Sequence, residues 1–356
     1  MALLVVFTAA IALFAVLIVL FLCLVVRKWR ENRRQARLRV YKERHRLWLL
    51  RYLLGEEEQM LLPASPLERE AMMELLDHFA SLLNGEQVQE RIRTLAEMHF
   101  QGWLHRRLSS RHWSERMNAL FLIEDLQVKA MLPEMERLYR SKRVTKGEAA
   151  KLLAIFAQFD YSPVIAYVLE PKYKLTEFSY RVIFGHMSER LLRQVEQRFD
   201  ELTRAGKCVF VDMIGIRRRE ERSFLLELLA SDESELRVRA LKAMAEIGMP
   251  LEAERLKQHL CSSHWQERLM AARLAGKCRE ERLLPLLYER LSDRSFVVRS
   301  EAAAAIARLP GGRTALRAAA RTAWVGYCRF ISRPWVGGGV CLLLRGVGLF
   351  GWEVIL

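Results

Sequence analysis

The chain has 356 residues, 57 Lys and Arg against 42 Asp and Glu, a net charge of +15 and a sequence pI near 9.8. Six scattered cysteines (23, 208, 261, 278, 328 and 341) exclude a disulfide-framework scaffold and fit a reducing compartment. A basic chain ordinarily suggests nucleic acid. Here the excess is confined: 27–51 holds 11 basic and two acidic residues, 302–356 holds seven Arg and one Glu, and 52–301 balances 39 basic against 39 acidic. That distribution disfavours a nucleic-acid partner.

Residues 2–26 are apolar throughout and uncharged, and Arg27-Lys28-Trp29-Arg30 follow directly. A spanning helix needs about 20 such residues. A cleaved signal has a basic start and a shorter apolar stretch of about 7–15 residues. The expectation is a transmembrane signal anchor over 1–26. Basic residues beside a span stay on the cytoplasmic side, so the expected topology is single-pass in the cell membrane, with the N-terminus outside and the remainder cytoplasmic. Residues 27–54 read as a basic juxtamembrane helix with apolar points at Leu38, Tyr41, Trp48, Leu49 and Tyr52. Anionic headgroups attract such segments. Arg27, Lys28, Arg30, Arg33 and Arg34 are the candidate lipid contacts within 27–51, with Trp29 and Trp48 at the interface; the other reading is a solvated helix that only fixes topology. Residues 55–66, with three Glu and two Pro, read as a linker.

The rest of the chain repeats itself. His112-Trp-Ser-Glu-Arg-Met-Asn-Ala119 returns as His264-Trp-Gln-Glu-Arg-Leu-Met-Ala271, identical at five of eight positions. Related blocks begin at Ser231-Asp232 and Ser292-Asp293 and run into Val-Arg and an Ala-rich stripe. Aligned on that pattern, Arg239, Arg268 and Arg299 superpose, with Arg116 in the earlier block. Asp232 and Asp293 fall in the loops, where Ser or Asp is expected to cap the next helix. Repetition at this period indicates an α-solenoid of stacked helix pairs. About six pairs are expected across 67–311, with helices over 148–159, 177–184, 191–202 and 220–229 in the least regular part.

These blocks resemble HEAT repeats, in the short bacterial form shared with phycobilisome-lyase-like repeats, best over Asp232–Gly248 and Asp293–Leu309. The resemblance implies an all-α fold, a single N-terminal transmembrane helix followed by a HEAT-repeat solenoid, and a scaffold role. It places the chain beside anchored bacterial HEAT proteins, and so in envelope or exopolysaccharide machinery. HEAT-like folds also include bilin lyases and alkylbase DNA glycosylases, so a HEAT-like enzyme and a membrane-tethered nucleic-acid binder are the alternatives.

No catalytic motif stands out. No glycine-rich phosphate loop, His-Glu-x-x-His, Gly-x-Ser-x-Gly or Cys-x-x-Cys is present. His259, Cys261 and His264, with Cys278 downstream, have ligand-like spacing, but His264 repeats the position of His112, which has no Cys nearby. The expectation is no metal, no cofactor and no catalysis. Trp113 and Trp265 occupy equivalent positions, which favours a packing or loop role over ligand stacking. The partner expected is a protein, itself membrane-associated. Residues 312–356 form an atypical tail with eight of the 18 glycines and three of the eight tryptophans. It reads as non-native, as a second membrane-associated segment, or as an atypical native tail.

Overall fold

The computed structural model describes residues 2–59, 63–217 and 221–317, so nearly all of the tail, 318–356, lies outside the described residues. Among the described residues the chain is helical and has no strand. It divides into two compact units, Met1–Phe159 and Asp160–Leu356.

The first unit begins with α1 (Ala2–Leu54), one unbroken helix of 53 residues. The span and the juxtamembrane helix expected separately are therefore continuous. The helix changes character along its length. The described side chains from Ala12 to Arg33 are exposed on every face. From Arg34 onward a stripe at helical spacing turns inward, and Leu38, Leu49 and Leu53 are buried. Their cover is α2 (Pro66–Leu82) and α3 (Glu86–Leu108). Leu38 and Leu49, read above as points of a solvated or lipid-facing helix, are thus core residues. Trp48 is half-buried and stacks on Tyr52 at 5.7 Å.

Gly55 ends α1 in the left-handed region at φ +87, where glycine bears no Cβ penalty. Arg91 Nη1 donates to the Tyr52 carbonyl at 2.9 Å, so α3 satisfies the end of α1. A capping box then starts α2: Glu68 N–H donates to Ser65 Oγ and Ser65 N–H donates to Glu68. The unit continues with α4 (Trp113–Asp125), α5 (Leu132–Arg140) and α6 (Lys146–Gln158).

The second unit holds α7 (Val164–Leu169), α8 (Glu177–His186), α9 (Glu189–Gln197), α10 (Arg204–Arg217), α11 (Arg222–Leu229), α12 (Ser234–Ile247), α13 (Ala253–Leu260), α14 (Trp265–Lys277), α15 (Leu284–Arg290) and α16 (Phe296–Arg308). The longer helices α8, α10, α12, α14 and α16 pack in sequence, and α11, α13 and α15 each pack against the long helix that follows. This is a helical repeat. The sequence pattern passed over α7 and α10, and the helix expected to reach Leu202 ends at Gln197 before a 3-10 turn. Burial explains the omission at α10. Cys208 to Ile214 are all buried, so no polar face marks the period.

Small residues set the spacing of the long helices. A Cβ on Gly215 would lie 2.9 Å from Ala243 Cα, and one on Gly276 only 2.6 Å from Ala305 Cα. Both neighbours are backbone and cannot rotate away. Gly276→Ala should therefore force α14 from α16 and cost about 1–3 kcal/mol, read as a lower denaturant midpoint. An unchanged midpoint would mean that the two helices do not approach this closely.

Candidate functional site

The feature that recurs across the chain is a guanidinium fork at the fourth residue of a long helix. Arg116 Nη1 donates to the carbonyls of Ser110 and Arg111 at 3.0 and 3.1 Å. Its Nε and Nη2 donate to Glu148 at 2.7 and 3.1 Å. Arg268 donates likewise to the Ser262 and Ser263 carbonyls and to both Asp293 oxygens. Each arginine thus ties its own loop to the acid of the following repeat. Planar bidentate geometry of this kind is what guanidinium offers and ammonium does not.

Between these two, the residue in the fork position is Arg237, not Arg239. Arg237 donates to the Ser231 and Asp232 carbonyls and to Glu267. Leu236-Arg237-Val238-Arg239 offers two arginines, and matching Val-Arg selects the wrong one. The true interval is 31 residues, from Arg237 to Arg268 to Arg299. Arg239 lies two residues further on, about 200° around the helix and so on a different face. There it bonds Asp212 and reaches Glu177 on α8 at 3.4 Å. Lys242 Nζ shares Asp212 at 3.0 Å. Arg299 donates to the Asp293 and Arg294 carbonyls at 2.8 and 3.2 Å, and its fork meets no carboxylate among the described residues.

The loop residues also differ from their expected role. Asp232 contributes its carbonyl. The side chains of Ser110, Ser231, Ser262 and Asp293 accept from the N–H two residues on, at 2.9–3.2 Å. They build a turn before the helix instead of capping it. This places both loop carbonyls within reach of the arginine.

Three acids of the ladder are buried: Glu148, Glu267 and Asp293. Burial pushes each upward, but the hydrogen bonds outweigh it and hold all three below the ordinary carboxylate range. The decisive donors are Arg116 and Thr145 for Glu148, Arg237, His259 and Ser262 for Glu267, and Arg268 and the Ser295 N–H for Asp293. His259 Nδ1 lies 2.6 Å from Glu267, so the apparent ligand pattern around Cys261 is a repeat joint. No group of three potential metal ligands occurs among the described residues. Cys208, buried and bonded to Glu235, has its thiol pushed up to about 11.

Trp113 and Trp265 are the first residues of α4 and α14 and are 51% and 42% exposed, so neither packs in a core. Phe296 stands at the same register in α16, 51% exposed. Of the five basic residues in the middle of α1, just after its apolar part, Arg27, Lys28, Arg30 and Arg33 are exposed. Arg33 lies over the Trp29 ring at 3.8 Å. Arg34 is not free for a headgroup: its Nη2 bonds Glu70 at 2.7 Å. Glu70 also faces Arg107 at 3.6 Å. The sequence could not show this pairing, because Glu70 is 36 residues away.

Arg116→Ala would leave the fully buried Glu148 without its cation. Breaking such a pair from one side costs about 3–5 kcal/mol, whereas Arg239→Ala leaves Asp212 with Lys242 and should cost less. Denaturant midpoints that rank the two the other way would remove the ladder's structural role. The pH dependence follows from the lowered carboxylates. A group whose folded pKa lies below its unfolded value adds stability above that unfolded value and loses it as pH falls through the folded one. Wild-type stability should drop below about pH 4, and Glu148→Gln should drop less steeply there. Equal slopes between pH 5 and 3 would contradict this.

No family model matches the chain, and no curated protein matches it. Among solved structures 26 chains match. One engineered protein is 16% identical over 69% of this chain and 76% of its own, with a TM-score of 0.35. A second is 17% identical over 68% and 97%, at 0.24. A designed armadillo repeat protein in complex with the peptide (KR)4 is 17% identical over 69% and 96%, at 0.21. The repeat described here rests on this chain's own arginine ladder and helix packing.

Proposed function

We propose that the protein is a membrane-tethered, non-catalytic scaffold of the HEAT-repeat kind, holding a helical-repeat surface against a membrane-associated protein partner on the cytoplasmic face. The observation that carries this reading is the change of character within α1. Its apolar first part, long enough to cross a membrane, is exposed on all described faces, while its second part is built into the core of the first unit. An apolar helix exposed all round is satisfied by lipid. The 11 basic residues of 27–51 set the orientation. Envelope or exopolysaccharide synthesis is the setting that the resemblance to anchored bacterial HEAT proteins supports.

On the repeats of the second unit, Arg204–Glu235 and Arg273–Glu301 pair across neighbouring long helices at 3.0 Å, and Arg239 on α12 reaches past α10 to Glu177 on α8 at 3.4 Å. A partner meets a patterned polar ribbon there. Affinity then comes from confinement to the same membrane, which raises effective concentration without a strong interface. Crosslinking in cells should recover an integral membrane protein, and a reporter fused at Pro310 should be active only in the cytoplasm. Recovery chiefly of DNA or RNA, or reporter activity outside the cell, would overturn the reading.

A further inference from the structure

Because α1 is continuous into the first unit, other parts of that unit are held at a fixed distance from the apolar segment. The helix α3 is antiparallel to the second part of α1. Near its start Arg91 bonds the Tyr52 carbonyl. Near its end Arg107 shares Glu70 with Arg34, which stands 18 residues earlier on α1 than Tyr52. The chain therefore climbs back toward the apolar segment along α3, turns over Ser109–His112, and starts α4 at that same end.

That end is basic and aromatic. Arg106 and Arg111 are exposed, Arg107 lies over the half-buried Trp103 ring at 4.1 Å, and Trp113 is 51% exposed. The acids nearby are Glu70, held by Arg34 and Arg107, Glu31, which faces Arg34 at 3.7 Å, Glu134, which faces His105 and Arg137, and the exposed Glu115. Arg34 lies eight residues beyond Val26, about 12 Å along the helix. The headgroup layer takes up about 5–8 Å of that distance. Arginine and tryptophan side chains beyond the rung span the remainder, and both residue types favour the interface.

We infer that the α3–α4 turn is a second membrane contact. Arg106, Arg111 and Trp113 engage anionic lipid headgroups beside the basic middle part of α1, so that the first unit rests on the bilayer at two points. The inference rests on the membrane reading of α1. It accounts for an exposed Trp113, with the tryptophan anchoring at the interface and the arginines reaching phosphate oxygens. Trp265 has the same place in its repeat, but its loop, Cys261-Ser-Ser-His264, has no Arg or Lys.

The test uses the full chain in lipid nanodiscs of phosphatidylcholine alone or with phosphatidylglycerol. Half the discs of each kind carry bromine near the headgroup end of the acyl chains. Tryptophan quenching by bromine should be larger in the anionic discs. Trp113→Phe should remove that increment, Trp265→Phe should leave it, and Arg106→Glu with Arg111→Glu should abolish it while Trp29 is still quenched. An increment unchanged in Trp113→Phe, or equal quenching in both lipids, would overturn the second contact while leaving the anchor standing. A chain that enters neither kind of disc would overturn both.

Discussion

A guanidinium that bonds two carbonyls of its own loop and a buried carboxylate of the next repeat is the joint on which the repeats depend. The loop carbonyls at Ser110, Ser231 and Ser262 fall outside any helix ladder, so they need a donor. The acids Glu148, Glu267 and Asp293 lie where an uncompensated charge is costly. One arginine answers both needs. Buried ion pairs are poor sources of net stability, but they fix register. Here register is the requirement, because Gly276 against Ala305 leaves no slack between neighbouring long helices.

Much of this was legible in the sequence. The all-helical class and the repeat followed from the His-Trp-x-Glu-Arg block and the Ala-rich stripe. What failed was register. Ser234-Glu-Leu-Arg-Val-Arg239 carries arginine at two positions, and only the carbonyls preceding the helix identify Arg237 as the fork. Backbone acceptors have no letter in a sequence, so no alignment of side chains finds them. The same limit applies to the loop serines. Their preference for positions before helices was readable, but whether they cap the helix or shape the turn is decided by the N–H they meet. Repetition left two roles open at Trp113 and Trp265, packing or loop. Equivalent positions imply equivalent geometry, and that geometry is an exposed first residue of a helix, not a place in the core.

The basic segment after the apolar run shows how charge counting and packing diverge. Eleven cations in 27–51 form one electrostatic feature, yet the helix divides them by face. Arg34 and Lys42 turn toward Glu70 and Glu74 on α2, while Arg27, Lys28, Arg30 and Arg33 remain in the open. A stripe with Leu38, Leu49 and Leu53 at its centre is too regular for a solvated helix. The spacing was present in the sequence, but its meaning depended on α2 and α3 being there to receive it.

The proposed anchor would do more than retain the protein at a surface. With a flexible linker, the tethered domain would sample all orientations within the linker's reach. In α1 no such linker lies between the apolar part and the core of the first unit, so orientation is carried through helical hydrogen bonds. On the proposed membrane reading the first unit would present a defined end to the bilayer, and which residues occupy that end becomes a physical question instead of an average. The ends of α3 and α4 answer it with cations and tryptophans, the chemistry suited to a headgroup layer. In the proposed anchor a rigid connection would also make tilting of the apolar segment, as bilayer thickness changes, move the first unit with it. A partner confined to the same membrane would meet the unit in one orientation, which lowers the entropic cost of docking and lets a polar surface suffice.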